Sequence, residues 1–245
     1  MNFNNVRIVL VEPSHPGNIG ATARAMKTMG LQRLVLVNPA HFPHLEACAR
    51  AAGALDVLDN AQIVNSFEAA LIGCHWVFGC SARSRGVTAT ELDPRQAAAK
   101  IAEHSDLTEV ALIFGRERCG LHNNETDQCN FLVHIPTNPA FASLNLAAAV
   151  QVLAYELRMQ THRAATTPSG NVLDLPAPAD EMQRFYEHLE QVLLQLEFLN
   201  PSNPRHLMRR FRRLFNRAHP DRREINILRG ILTAIQQKTD PPVGR

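Results

Sequence analysis

The sequence predicts an α/β fold with a mainly parallel sheet covered by helices, followed by a small α-helical module. In residues 1–162, short apolar runs alternate with helical patterns, which is typical of a parallel sheet with helices on both faces. Residues 163–180 have no sustained period and are rich in proline, so they are predicted to be a linker. Residues 181–245 then show three apolar stripes at helical spacing.

The chain begins with the sequence form of a parallel crossover. Its predicted elements are a strand at Val6–Val11, a loop from Glu12 to Gly20, a helix at Ala21–Met29 closed by Gly30, and a strand at Leu34–Val37. A strand, a glycine-containing loop, a helix and a second strand form a right-handed βαβ unit. Further predicted elements are helices at His44–Ala52, Phe67–Ile72 and Asp93 to about Glu103, and a strand at Trp76–Gly79.

Two central strands end in polar loops. Val110–Phe114 and Phe131–Ile135 are short apolar runs bounded by turn residues, so each is predicted to be a buried strand. Ligands of open α/β sheets bind outside the carboxyl ends of the strands, which makes these two loops a candidate ligand shelf. The alternative is a pair of ordinary buried strands with ordinary turns.

The predicted helix from Ser143 to Met159 is rich in alanine and leucine and has almost no polar face. A helix that is apolar all round must be buried on every side, and one sheet covers only one side. A partner subunit would cover the rest, although a central position in a large monomer would do so as well.

Composition indicates a globular protein, with 45% hydrophobic and 20% charged residues. The five cysteines show no CxxC spacing, so neither a disulfide framework nor a zinc site is indicated. The first predicted strand begins at Val6, and the residues before it lack the basic and apolar regions of a signal peptide. No apolar run reaches the ~18 residues that would span a membrane. We therefore expect a cytoplasmic protein without a membrane segment.

Charge is concentrated near the end of the chain. The net charge is +2, but residues 203–230 contain nine arginines against Asp221 and Glu224. On a predicted helix from Arg205 to Arg217, the apolar stripe of Leu207, Phe211, Leu214 and Phe215 is expected to face inward, leaving the arginines on the flanks and outer side. Their expected partner is phosphate, because no acidic residue lies between Pro204 and Pro220.

Several familiar chemistries do not fit the motifs. Gly17-Asn18-Ile19-Gly20 lacks the three-glycine spacing of a dinucleotide fold, and the second strand ends in Asn38-Pro39 in place of an acidic residue. A GxSxG motif is absent, and the histidines are scattered, so neither a serine hydrolase nor a metal site is indicated. What remains is a set of Arg, Asn, Ser and Glu residues at strand ends, each of which could also be ordinary solvated surface.

Three ordered motifs resemble those of the SPOUT superfamily of RNA ribose 2′-O-methyltransferases. They are Pro16-x-Asn18-x-Gly20-x-x-x-Arg24, then Phe114-Gly115-Arg116-Glu117-x-x-Gly120-Leu121, then Ile135-Pro136 with Ser143-Leu144-Asn145-Leu146. Over nearly its whole length the chain is similar to those members that methylate cytidine or uridine 32 of tRNA. The resemblance implies S-adenosylmethionine as methyl donor, a C-terminal trefoil knot, a homodimer with active sites at the subunit interface, and no metal.

The same resemblance implies three sets of site residues. The catalytic set is Asn18, Arg24, Glu117, Ser143 and Asn145, with Asn18 and Arg24 presented by the facing subunit. The cofactor set is Cys80, Ser81, Ala82, Gly115, Gly120, Ile135, Ala142, Ser143 and Leu144. The RNA-binding set is Arg83, Arg85 and Arg116 near the active site, to which the charge pattern of the tail adds Arg209, Arg210 and Arg213.

The reaction so implied needs mainly positioning of a ribose hydroxyl against an electrophilic methyl group, together with removal of a proton. A free guanidinium has a pKa above about 12, so Arg24 is expected to bind phosphate, and its role as a base is left open. A rival hypothesis is a non-catalytic RNA-binding or RNA-chaperone protein, for which the arginine-rich tail alone would suffice.

Overall fold

The structure is a computed structural model that describes residues 1–82, 90–161, 175–200 and 206–239. Within these ranges, seven strands form one parallel sheet in the order β3-β2-β1-β6-β4-β7-β5. The strands are β1 Val6–Val11, β2 Arg33–Val37, β3 Gln62–Val64, β4 Trp76–Cys80, β5 Thr90–Leu92, β6 Val110–Phe114 and β7 Phe131–Val133. The predicted parallel sheet is confirmed.

Ten α-helices lie in the described ranges. They are α1 Pro16–Met29, α2 Leu45–Ala51, α3 Leu55–Asp59, α4 Phe67–Leu71, α5 Pro94–His104, α6 Asn123–Thr126, α7 Leu146–Gln160, α8 Ala179–Gln195, α9 Leu207–Ala218 and α10 Arg222–Thr239. On one face of the sheet α1, α2, α3, α5 and α7 enclose the larger apolar cluster. On the other face α4 and the segment around Leu121 and Cys129 cover a smaller cluster.

The register of the sheet brings three strand ends together. Cys80 at the end of β4 pairs with Phe114 of β6 on one side and with Val133 of β7 on the other. Because these strands are parallel, the loops that follow them emerge at the same edge. This edge carries the site described below.

Helix α1 begins earlier than the sequence predicted. Its first residue is Pro16 in place of Ala21, because the fixed φ of proline suits a first helical turn and the His15 ring accepts a hydrogen bond from the Gly17 N–H at 3.1 Å. Asn18 and Gly20 therefore lie in the helix. A Cβ on Gly20 would come within 2.1 Å of the Ala47 carbonyl oxygen, so this glycine permits the close contact of α1 with α2.

Two strands are absent from the sequence prediction, and the end of a third is misplaced. Strands β3 and β5 were not predicted, and β7 ends at Val133 in place of Ile135. Both missed strands have only three residues, too few for a visible apolar period.

Helix α7 starts at Leu146 in place of Ser143 and is buried on one side only in this chain. Val150, Leu153, Ala154 and Leu157 are fully buried, whereas Tyr155 is 49% exposed. The alternative that the helix is enclosed at the centre of a monomer is thus wrong, and its cover by a partner subunit stays a prediction. An apolar face stays open to a partner.

The three predicted C-terminal helices are confirmed as α8, α9 and α10, which share their own apolar cluster. The stripe of α9 is only partly inward, because Leu214 is 47% exposed and Met208 packs against the cluster. Ala177, which falls in the predicted linker, is buried and donates its N–H to the Pro220 carbonyl at 2.8 Å. No helix in the described part of the chain is long and apolar enough to span a bilayer.

Candidate functional site: a three-loop cavity beside a polar cluster

A cavity of about 340 Å³ opens at the carboxyl edge of the sheet, between the loops that follow β4, β6 and β7. All nine residues of the predicted cofactor set line it: Cys80, Ser81, Ala82, Gly115, Gly120, Ile135, Ala142, Ser143 and Leu144. The loops meet there because the three strands are neighbours in the sheet, although they are far apart in sequence.

The loop after β6 folds back on itself. Arg116 and Gly120 exchange two backbone hydrogen bonds, of 3.2 and 2.9 Å, and Gly120 has a φ of +69° that favours glycine. A Cβ on Gly115 would lie 2.2 Å from the Gly120 carbonyl carbon. Gly115 therefore allows the loop to close on itself at the wall of the cavity.

The loop after β4 is fixed to the loop after β7. The Ser81 N–H donates to the Val133 carbonyl at 3.0 Å, and the Ser81 carbonyl lies 3.2 Å from His134 Nδ1. Burial raises the pKa of the neighbouring Cys80 thiol to about 12, so the thiol is neutral at physiological pH. Cys80 is therefore an apolar wall residue and not a reactive thiolate.

A polar cluster joins the three motifs beside the cavity. Asn145 Nδ2 donates to Asn18 Oδ1 at 2.9 Å, and Asn18 Nδ2 donates to Glu117 Oε1 at 3.1 Å. The Asn145 oxygen caps α7 by accepting from the N–H groups of Ala147 and Ala148, which leaves its amide nitrogen free to donate. Three members of the predicted catalytic set are thus in one hydrogen-bonded group within a single chain.

Glu117 is the centre of this cluster. Its carboxylate also accepts hydrogen bonds from the Ser14 N–H and hydroxyl and from the His15 N–H, at 3.1 to 3.2 Å. Burial by itself would raise the pKa of Glu117, but the hydrogen bonds from Asn18 and from the backbone outweigh it and hold the pKa below its usual value. Glu117 is therefore ionised and ties the start of α1 to the cavity loop.

The other two catalytic candidates lie outside this cluster. Ser143 lines the cavity. Arg24 is exposed and makes no side-chain hydrogen bond or ion pair with any residue that the structure describes. It lies six residues beyond Asn18, which is about 240° further round the helix, so the two side chains point to different sides of α1.

Arg116 is in a different environment from the one predicted. Its guanidinium pairs with Glu12 at 2.6 Å and with Glu125 at 3.0 Å, and its side chain is only 15% exposed. The hydrogen bonds that Arg116 donates to Glu12, followed by those it donates to Glu125, raise the pKa of Arg116. With its charge neutralised inside the protein, Arg116 is a structural residue of the cavity loop and not a free ligand for RNA phosphate.

The remaining RNA candidates are distributed unevenly. Arg83 and Arg85 lie outside the described residues. Arg210 and Arg213 are exposed on α9, whereas Arg209 pairs with Asp127 of the sheet domain. Among the described residues, no group of three or more His, Cys, Asp or Glu side chains could hold a metal ion.

Sequence reasoning missed several residues that shape the site. Ser14 and His15 bind Glu117, Glu12 and Glu125 bind Arg116, and Thr137 donates to the Ala142 carbonyl at 3.2 Å to close the third loop. The signal for the first two was available, since the residues before a helical Pro16 present unpaired N–H groups. The partners of Arg116 carry no local signal.

Comparison with known proteins agrees with this geometry. Residues 5–155 match the SpoU rRNA Methylase family, and residues 180–243 match the C-terminal domain of the tRNA methyltransferase TrmJ. The tRNA (cytidine/uridine-2′-O-)-methyltransferase TrmJ of Salmonella choleraesuis is 52% identical over 240 residues, which cover 96% of this chain and 98% of that protein.

Solved structures show the same relationship. TrmJ from Z. mobilis ZM4 is 34% identical, with a TM-score of 0.83 over 94% of this chain and 98% of that chain. An AdoMet-bound rRNA methyltransferase from Sinorhizobium meliloti, at 24% identity and a TM-score of 0.52, covers 65% of this chain and 57% of that chain and shares the fold. The resemblance read from the three motifs is confirmed, and the chain belongs to the SpoU rRNA Methylase family, with a C-terminal domain of the TrmJ type.

Proposed function

We propose that this protein transfers a methyl group from S-adenosylmethionine to the ribose 2′-hydroxyl of cytidine or uridine 32 in tRNA. The observation that carries the proposal is the union of three distant motifs at one sheet edge, where a cavity adjoins the cluster of Asn18, Glu117 and Asn145. The relatives of about half identical sequence are tRNA ribose methyltransferases. The choice of nucleotide 32 follows from the sequence resemblance.

The cavity fits S-adenosylmethionine in size and chemistry. Its volume of about 340 Å³ lies within the range of roughly 300–1,000 Å³ of small-molecule sites. Loop backbone and apolar side chains such as Ile135 and Leu144 would hold the adenosine part, and the ionised Glu117 provides negative charge at the wall. When bound, this cofactor supplies an electrophilic methyl group.

The surrounding residues would position the RNA. Asn18 and Asn145 are held by each other and by Glu117, so their amides are oriented before any ligand binds. Arg24 is exposed and unpaired among the described residues, as a phosphate ligand should be. The lowered pKa of Glu117 makes it a weak base, and we assign no general base.

We also propose that the protein acts in the cytoplasm as a homodimer and that α9 contributes to tRNA binding. The exposed apolar face of α7 supports the dimer, and the exposed arginines of α9 support the RNA contact. The trefoil knot stays a prediction.

The test is methyl transfer from labelled S-adenosylmethionine to an unmodified tRNA transcript. We expect about one methyl group per tRNA, and none when nucleotide 32 carries a 2′-deoxy ribose. Incorporation into the 2′-deoxy substrate would overturn the choice of position. Isothermal titration with S-adenosylmethionine separates the rival RNA-chaperone hypothesis, which predicts no binding. Mass spectrometry of tRNA nucleosides from a deletion strain, with and without the gene restored, extends the test to the cell.

A further inference from the structure

The arginine-rich helix α9 is fastened to the sheet domain by one of its own arginines. Arg209 Nε lies 2.7 Å from Asp127 Oδ2, and Arg209 Nη2 donates to Asp127 Oδ1 at 3.0 Å. The Asp127 side chain is 8% exposed, so this two-point ion pair is largely shielded from water. Because the guanidinium of Arg209 is bound to the buried carboxylate of Asp127, Arg209 is not available to an RNA phosphate.

A second residue of α9 reinforces this contact. Asn216 Nδ2 donates to the carbonyls of Asp127 and Cys129 at 3.2 and 3.5 Å, and its Oδ1 accepts from the Tyr186 hydroxyl at 2.9 Å. Arg212 lies over the Tyr186 ring, 4.4 Å from its centroid. One side of α9 is therefore committed to docking.

The opposite side of α9 is free. The side chains of Arg210, Arg213 and Arg217 are exposed and have no ion pair or hydrogen bond with the residues that the structure describes. The arginines that the sequence presents as one basic surface thus divide into a docking group and an open group.

The docking point is joined to the cavity by a short segment. Asp127 directly follows α6, and Glu125 of α6 pairs with Arg116, which lines the cavity. Glu125 is 4% exposed, and its carboxylate also accepts the His122 N–H at 2.6 Å, which closes the first turn of α6. The module, through Asp127, and the cavity loop, through Glu125, are thus bound to the same short helical segment.

We propose that Arg209, Asp127 and Asn216 form a latch that sets the position of α9 relative to the cavity, so that tRNA held by the open arginines is delivered in register. Arg209 and Asn216 are positioning residues in this proposal and do not contact RNA. The consequence for tRNA rests on the proposed function, whereas the latch itself can be tested without RNA.

The first experiment compares Arg209→Ala with Arg210→Ala, its neighbour on the open side. We expect Arg209→Ala to lower turnover at saturating tRNA about tenfold, because misplacement of a bound reactant is costly. The salt dependence of tRNA binding by Arg209→Ala should equal that of the wild type. Arg210→Ala should instead weaken tRNA binding and reduce the slope against log salt by about 0.9, as loss of one phosphate contact does. A reduced slope for Arg209→Ala with unchanged turnover would overturn the latch.

The second experiment uses the two members of the latch that are not arginines. Asp127→Asn should reproduce the turnover loss, and the double variant with Arg209→Ala should be no worse than either single variant. Asn216→Ala changes no charge and provides a further test if Asp127→Asn fails to fold. Full turnover in either variant, or additive losses in the double variant, would contradict the proposal.

Hydrogen exchange provides a measurement that does not depend on the reaction. Amides of α9 should exchange about tenfold faster in Arg209→Ala than in the wild type or in Arg210→Ala, because the docked helix opens more often. Equal exchange in all three proteins would refute the latch. If α9 exchanges faster in Arg209→Ala but the wild type methylates no tRNA, the latch is retained and the proposed function is rejected.

Discussion

Glu117 holds together the parts of the site that the chain supplies from different elements. Its carboxylate accepts hydrogen bonds from four donor groups, which belong to Ser14, His15 and Asn18. A glutamine at this position would turn its own amide donor toward at least one of them. We expect Glu117→Gln to lower the free energy of unfolding by about 1–2 kcal/mol near neutral pH, since hydrogen bonds to a charged group are lost. Urea unfolding measures this loss, and Glu103→Gln, at a 60% exposed side chain, is the matched control.

The loss of stability caused by Glu117→Gln should depend on pH. The pKa of Glu117 is lowered in the folded protein, so its stabilisation is complete above the unfolded pKa of about 4.3 and is lost as the pH falls through the folded pKa. The difference in stability between wild type and Glu117→Gln should therefore shrink below about pH 4. A difference that stays constant from pH 7 to pH 3 would show that the carboxylate charge is not responsible.

Arg24 is expected to act on RNA alone. It is exposed and without a partner among the described residues, so Arg24→Ala should leave the unfolding free energy within about 0.5 kcal/mol of the wild type. Affinity for S-adenosylmethionine should also be retained, while most methylation is lost. Calorimetry and methyl transfer measure the two effects, and a parallel loss of cofactor affinity would contradict the assignment.

At the scale of one element, the loop after β6 depends on Gly115. Any Cβ there would collide with the Gly120 and Leu121 backbone at 2.2 to 2.4 Å, which flexible side chains cannot relieve. We expect Gly115→Ala to cost about 1–3 kcal/mol of stability, in the range of overpacking, and to abolish cofactor binding. Gly53→Ala is the control, because a Cβ at Gly53 meets no atom within 4 Å. A stable Gly115→Ala protein with normal cofactor affinity would exclude this role.

The open face of α9 should contribute to tRNA binding. Replacing both Arg210 and Arg213 with alanine should reduce the slope of log affinity against log salt by about one to two units. Cofactor affinity should not change, because neither side chain contacts the cavity. Arg209, the third RNA candidate of the tail, is left out of this variant because it is bound to Asp127. A double variant with wild-type tRNA affinity and slope would assign RNA recognition to the sheet domain alone.

At the scale of the whole molecule, the outer face of α7 is expected to form a dimer interface. Ala148 on this face is exposed in the single chain, so Ala148→Glu would be harmless in a monomer but would bury a charge in a dimer. Sedimentation at micromolar concentration should show a dimer for the wild type and a monomer for this variant. Gln237→Glu, on the exposed side of α10, should remain dimeric. A monomeric wild type would reject the interface.

The sequence by itself determined the parallel sheet and a ligand shelf at its edge, and the family resemblance supplied the individual residues that line the cavity. Apolar runs such as Val110–Phe114 mark buried strands because burial of each strand leaves a local signature. The loops that follow these strands must meet at one edge of a parallel sheet, so the loops after Val110–Phe114 and Phe131–Ile135 could be placed on one shelf, and the resemblance then assigned Gly115 and Ser143 to the cofactor.

Only the tertiary structure decided which charges are free and which faces are covered. Arg116 and Arg209 look like other loop or tail arginines in the sequence, but Glu12 and Asp127, 104 and 82 residues away, neutralise them. Likewise, the apolar sequence of α7 requires burial without saying which side the chain itself covers. Apolar periodicity indicates which residues of a segment are buried. The partner that a residue meets depends on how distant segments pack, and no local pattern encodes this packing.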